Sequence, residues 1–299
     1  MVVSAFAAIY FLYGGTYLAI ALGLRSIPPF LLMGGRSILG GAVLLLLSRI
    51  QGSRMRAPED WLHAAISGML LFVGCHGALA YAERFVPSGI SAVVLATIPF
   101  WIILVNLAIG RHEPWQELVG LLPGFLGVAL ITWLGSSKGN QSVPPAMIAL
   151  LLASSLSWAL GTVYVQSRAI HIPSHDLAGM QLICGGAGLL ALSLGAGELT
   201  NFSPQKVTAI SLAGMLYMAL LGSAVANTAY LWLLDRMPAP IVATYTFVNP
   251  VIALILGWWI LGERITLMSG IGSVLVIGSV ISLQLFKANA SLRRCHSQT

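Results

Sequence analysis

Runs of about 20 apolar residues, each long enough to cross a bilayer as a helix, follow one another along the whole chain. Ten can be counted, over residues 2–22, 30–48, 61–83, 88–109, 117–134, 146–166, 177–196, 207–234, 241–260 and 267–286. Short connections between them hold most of the Pro, Asn and charged residues, and none has room for a soluble domain. The first run has no basic segment ahead of it, as a cleaved leader would, and is long enough to span. The pattern predicts an all-α membrane protein of ten transmembrane helices.

Composition sharpens this picture. Of 299 residues, 58% are apolar and 8% charged, against about 25% charged in soluble domains. So few charges cannot cover a water-soluble surface, and the mean hydropathy is +0.89. A soluble protein, a disordered chain and a nucleic-acid binder are excluded. The net charge of +6 is spread thinly. Arg25, Arg84, Lys138, Lys206 and Arg264 fall in the connections on one side, and Arg49, Arg54, Arg56, Arg111, Arg168, Arg236, Lys287, Arg293 and Arg294 on the other. Basic loops face the cytoplasm, so both termini are expected there. Three cysteines, Cys75, Cys184 and Cys295, form no CxxC pair and give neither a disulfide framework nor a zinc site. No metal or cofactor is expected.

The two halves of the chain carry similar residues in the same order. Gly34, Arg36 and Gly40-Gly41-Ala42 in the second run match Gly179, Gln181 and Gly185-Gly186-Ala187 in the seventh, 145 residues on. Pro87, Ile90, Ala92 and Pro99 match Pro238, Ile241, Ala243 and Pro250, 151 residues on. Gly15-Thr16 pairs with Gly161-Thr162, and Glu83-Arg84 with Asp235-Arg236. Five is odd, so a second set of five helices must enter from the opposite side. The expected organisation is two inverted five-helix repeats, 1–144 and 145–299 with a short cytoplasmic tail, forming one unit around a central cavity. Many secondary transporters are built this way, with the substrate between halves. Two complete halves in one chain predict a functional monomer.

Tyr13-Gly14-Gly15-Thr16-Tyr17, followed by Gly23-Leu24 and Ile27-Pro28-Pro29, resembles the opening of the drug/metabolite transporter superfamily. EamA-type members often read Trp-Gly-Ser-Thr-Phe there, with an Arg in the second helix, here Arg36. Pro250, Leu261-Gly262-Glu263-Arg264 and the Gly270/Gly278 spacing resemble the family's end-of-half pattern. The resemblance covers nearly the whole chain. It implies ten helices in two inverted repeats and transport of small metabolites, commonly outward. The aromatic-rich helices are most similar to bacterial exporters of aromatic and other neutral amino acids, which implies the inner membrane as location. Tyr13 departs from the family's usual Trp.

Charged groups at bilayer depth are costly and usually functional, and this chain has few. Arg36 can serve as counter-ion to a substrate carboxylate, or snorkel and bond nearby carbonyls. Its counterpart Gln181 is uncharged and the family carries Arg here across many substrates, so a structural role is expected. Glu83, Glu113, Asp235 and Glu263 stand at the ends of runs, each near an Arg, and are expected to form ion pairs that orient helix ends. With no carboxylate in mid-run, the chain is expected to work as a uniporter. Pro99 and Pro250 lie inside the fourth and ninth runs. Each removes a backbone donor and disturbs the carbonyl four residues earlier, on Leu95 and Thr246. They are read as gating hinges, with packing kinks, tolerated in membrane helices, as the plainer reading.

Tyr10, Tyr13 and Tyr17 share one face of the first run. His76 and Tyr81 lie in the third, Trp101 four residues after Thr97 in the fourth, and Trp158 between Ser154 and Gly161 in the sixth. The eighth run offers Asn227 with Tyr230, and the ninth Tyr245 with Asn249. Lipid-facing Tyr and Trp belong at the interfaces, whereas Trp101, Trp158 and Tyr245 lie deeper. Packing between helices would place them there; so would one aromatic cavity lined by Tyr13, Tyr17, His76, Tyr81, Trp101, Trp158, Asn227, Tyr245 and Asn249. Such a cavity suits a small amphipathic zwitterion, with rings stacking on its walls. A phosphorylated substrate would need Lys or Arg in the site. The expected function is secondary export of neutral, mainly aromatic amino acids, with Met and Thr as further cargo, by alternating access. A proton-coupled exporter of lipophilic cations or other small metabolites is the alternative. A membrane-embedded enzyme is more remote, since no HExxH, paired mid-run aspartates or Ser/Lys dyad is present.

Overall fold

The computed structural model describes residues 1–52, 56–86, 88–111, 144–168, 172–200 and 202–261, with scattered positions between 119 and 130 and between 267 and 279. Every extended element among them is helical. They are α1 (Val2–Gly23), α2 (Pro29–Ile50), α3 (Pro58–Ala82), α4 (Ser88–Leu95), α5 (Ile98–Ala108), α6 (Pro145–Arg168), α7 (Ser174–Gly195), α8 (Ala209–Leu234), α9 (Ala239–Val242) and α10 (Tyr245–Leu261). Six of them, α1 to α3 and α6 to α8, are long and apolar enough to cross a membrane, and each follows an apolar run of the sequence closely. The runs at 117–134 and 267–286, the charges of Glu113 and Glu263, and the tail lie outside the described residues, apart from scattered helical positions.

The fourth and ninth runs are each interrupted. α4 gives way to α5 at Ala96 and Thr97, and α9 to α10 at Ala243 and Thr244. At both breaks a threonine turns back on the carbonyl three residues earlier. Thr97 donates to Val94 through its amide (3.1 Å) and Oγ1 (2.6 Å), and Thr244 donates to Ile241 at 3.2 and 2.7 Å. The breaks do not coincide with the prolines. Pro99 is the second residue of α5, where no intrahelical donor is lost. Pro250 sits inside α10, which continues through it.

α3 and α8 each contain a π-helical stretch, Met69–Gly77 and Met218–Val225. π geometry is rare, and mostly confined to single turns near functional sites. Leu70, in the first stretch, has its carbonyl taken by Ser157 Oγ of α6 at 2.8 Å.

α2 and α7 form the most extensive helix pair. Glycines bring their backbones together: a Cβ on Gly41 would lie 2.9 Å from the carbonyl oxygen of Gly179. α3 approaches α7 in the same way, a Cβ on Gly185 falling 2.6 Å from Gly68 O. Small residues at such contacts let van der Waals packing hold helices where no hydrophobic drive separates protein from lipid. Both helices end on glycines in the left-handed conformation, Gly52 at φ 82° and Gly197 at φ 68°, which stops each helix at no steric cost.

Each end of this pair is tied. At one end Asp176, the third residue of α7 and 1% exposed, accepts from Ser48 Oγ of α2 and pairs with Arg56. At the other, Glu198 accepts from the amides of Phe30 and Leu31 at 3.1 and 2.9 Å and from Ser193 Oγ at 2.8 Å. It thereby satisfies two of the free donors that open α2.

Candidate functional site

Three of the irregular stretches, the π stretch of α3 and the two helix breaks, border one cavity. Its wall takes Tyr13, Thr16, Tyr17 and Ile20 from α1, Arg36 from α2, and Cys75, His76 and Leu79 from α3, the first two of these in the π stretch. Leu95 and Ile98 reach it from either side of the α4–α5 break, Trp158 from α6, and Tyr245, Thr246 and Asn249 from the start of α10. About 20 Å³ is left for the centres of water-sized molecules, room for one or two waters. The wall must open to admit anything larger.

One wall is an aromatic cluster. Tyr13 lies 4.9 Å from Tyr245, centroid to centroid, and 6.4 Å from both Trp158 and Tyr230. Trp158 and Tyr230 are 5.5 Å apart, and Tyr230 stands edge-on to Tyr245 at 5.8 Å. Such offset and edge-to-face pairs contribute beyond the area they bury. The Trp158 indole is fixed by a closed circuit. Its Nε1 donates to Tyr230 OH (3.2 Å), Tyr230 donates to Thr162 Oγ1 (2.6 Å), and Thr162 donates to the Trp158 carbonyl (2.8 Å). His76 is held between Trp158 (5.0 Å) and Phe72 (5.4 Å), with Nδ1 buried and without a hydrogen-bond partner.

Polar groups share the cavity with these rings. Tyr17 interacts with Asn249, whose Oδ1 is buried and unpartnered. Arg36 is 2% exposed, and its Nε and Nη2 are buried without partners. Among the described residues no carboxylate lines this cavity, nor does any group of three His, Cys, Asp or Glu side chains come together as a metal site.

Six residues singled out in the sequence therefore meet here: Tyr13, Tyr17, His76, Trp158, Tyr245 and Asn249. Three do not form this wall. Tyr81 stacks on Phe30 at 5.9 Å beneath Arg84. Trp101 packs against the core with its Nε1 buried and unpaired. Asn227 is 1% exposed, with neither side-chain polar atom bonded. Thr16, Cys75 and Thr246 join the wall without having been singled out as binding groups. Their signal is faint: Thr16 lies three residues from Tyr13 on one helix face, and Cys75 precedes His76. Tyr230 was noted only as a neighbour of Asn227, yet it is fully buried at the heart of the cluster.

The acidic ends divide. Asp235 pairs with Arg236 at 3.0 Å, as expected. Glu83 does not pair with its neighbour Arg84. The Arg84 guanidinium instead sits over the rings of Tyr81 (5.8 Å) and Phe85 (5.6 Å), a cation–π arrangement. Both Glu83 carboxyl oxygens are buried without a hydrogen-bond partner, and the group acts on Tyr17 of the cavity wall. The expected loop ion pair is thus replaced by an inward-facing carboxyl.

Comparison with known proteins fits this architecture. The model of the EamA-like transporter family matches residues 1–133 and again 145–284. The chain is 33% identical to the inner membrane transporter YedA of Escherichia coli K12, over 95% of this chain and 90% of that one. It is 29% identical to the transporter YvbV of Bacillus subtilis, covering 85% and 81%, and 26% identical to protein PecM of Dickeya dadantii, covering 91% and 88%. A protein of known crystal structure superposes with a TM-score of 0.77 at 19% identity, over 95% of this chain and 98% of its own, which is a likeness of fold.

Proposed function

The chain belongs to the EamA-like transporter family, and from that premise we propose that it is a secondary exporter of neutral amino acids, aromatic ones foremost, with Met and Thr as further cargo. The observation that carries this reading is the aromatic wall of Tyr13, Trp158 and Tyr245, backed by Tyr230, which shares one cavity with polar groups. Rings and thioethers stack on the former. Asn249, Tyr17 and the broken helix starts offer hydrogen bonds to the polar end of a zwitterion. Cargo sites at breaks in spanning helices are a general device of secondary carriers. The membrane is the bacterial inner membrane, by analogy with the relative named for it. Both termini are cytoplasmic, two inverted five-helix repeats give the cavity alternating access, and a monomer suffices. Uniport needs no titrating group inside the cavity.

Counterflow in proteoliposomes of the purified protein tests the reading. Vesicles loaded with unlabelled Phe, Trp, Met, Thr or Leu are offered the labelled amino acid without any ion gradient. Saturable entry supports it; no entry for any of the five sinks it.

A second reading, proton-coupled export of lipophilic cations or other small metabolites, is favoured by Glu83, whose carboxyl is buried and unpaired. It requires uptake driven by a pH gradient and lost in Glu83→Gln. Entry independent of the gradient speaks for uniport.

A further inference from the structure

Arg36 has a feature that its place in the sequence does not explain. A buried guanidinium without a counter-charge is among the costliest groups a protein can hold. Yet Arg36 forms no salt bridge or hydrogen bond among the described residues, and both Nε and Nη2 are orphaned. The contrast with α7 is informative. Gln181, at the same offset, is uncharged and fully buried; its Nε2 donates to Ser67 Oγ at 2.8 Å, and its Oε1 alone is without a partner. The α7 position is tied into the packing; the α2 position is left open to the cavity. Tyr13, Cys75 and His76 line the cavity with it. None of these is a carboxylate.

We infer that Arg36 is the binding group for the carboxylate of the transported molecule, with the aromatic wall taking its side chain. The guanidinium fork matches a carboxylate with two parallel hydrogen bonds, and its two orphaned donors are of that kind. This rests on the amino-acid reading and deepens it: the cargo must be an anion at this end. Lipophilic cations are disfavoured, because they would place positive charge beside Arg36.

The test uses the full-length protein in detergent, with two probes that share a phenyl ring. 3-Phenylpropionate carries the carboxylate and no amine; 2-phenylethylamine carries the amine and no carboxylate. Binding is followed by calorimetry. Wild type is expected to prefer 3-phenylpropionate by about tenfold or more, the scale of one charge-assisted contact. Arg36→Gln is expected to lose that preference while its melting temperature stays near wild type, and Arg36→Lys to keep part of it. If Arg36→Gln fails to fold, the wild-type preference and the Lys variant still decide. Equal binding of the two probes by wild type, tighter binding of the amine, or no binding of either overturns the inference. So does Arg36→Gln binding 3-phenylpropionate as wild type does. Failure of the amino-acid reading is separate: Arg36-dependent binding of 3-phenylpropionate without counterflow of any amino acid keeps this inference and removes that reading.

Discussion

Ser48 and Ser193 stand 145 residues apart and make the same contact: each donates its hydroxyl to a carboxylate beside the first turn of the facing helix, Asp176 and Glu198. In both helices the serine is followed four residues later by the glycine that ends it, Gly52 or Gly197. The two ties are unequal. Asp176 is buried and also carries Arg56, whereas Glu198 holds backbone amides. Asp176→Ala is expected to cost roughly 3 kcal/mol, because a partly buried charge loses its partner. Glu198→Ala is expected to cost about 1–2 kcal/mol, the scale of a lost helix cap. Thermal unfolding in detergent ranks them; equal loss would contradict the ordering.

The Trp158–Tyr230–Thr162 circuit predicts that Tyr230→Phe is worse than its one lost oxygen suggests. The substitution keeps the ring but leaves the buried indole N–H without an acceptor, at about 1–3 kcal/mol. A lowered melting midpoint together with weakened counterflow is expected, since Trp158 forms the cavity wall. A variant as stable as wild type would mean the indole finds another acceptor.

The two prolines should behave differently. Pro99 occupies a helix start, so Pro99→Ala is expected to change little. Pro250 lies within α10, where Pro250→Ala restores a donor toward the Thr246 carbonyl and stiffens a helix that lines the cavity. Slower exchange in the second variant, with the first near wild type, is the expected pattern. Two variants of equal effect would return both prolines to the same role.

Gly41→Val and Gly185→Val would drive side-chain atoms into backbone carbonyls of the facing helix, 2.9 and 2.6 Å from where a Cβ would stand. Backbone cannot step aside as a side chain can, so each is expected to destabilise by at least the 1–3 kcal/mol typical of overpacking. Yield of folded protein by size-exclusion chromatography, and then its melting temperature, measures this.

The spanning helices were legible because 20 apolar residues have few other uses. The interruptions were not. Ala96-Thr97 and Ala243-Thr244 contain no glycine, proline or charge, so apolarity runs straight through them, while the visible prolines lie downstream. Glu83 and Arg84 are adjacent and of opposite sign, which suggests a pair, but adjacent residues on a helix point in different directions, and Arg84 found aromatic faces. Depth along a run also says nothing of direction around it. That is why Tyr81, Trp101 and Asn227 were grouped with residues whose walls they do not share. The link between Trp158 and Tyr230 spans 72 residues and leaves no local trace.

The tied pair of α2 and α7 bears on the lipid as well. Each has 22 residues, about 33 Å at 1.5 Å per residue, close to the roughly 30 Å of bilayer hydrocarbon. Pinned at both ends, the pair acts as a fixed keel in which neither helix can slide along the other. The hydrophobic height set by this pair is therefore independent of the lipid around it, and thicker or thinner bilayers should deform to meet the pair rather than shear its helices past one another.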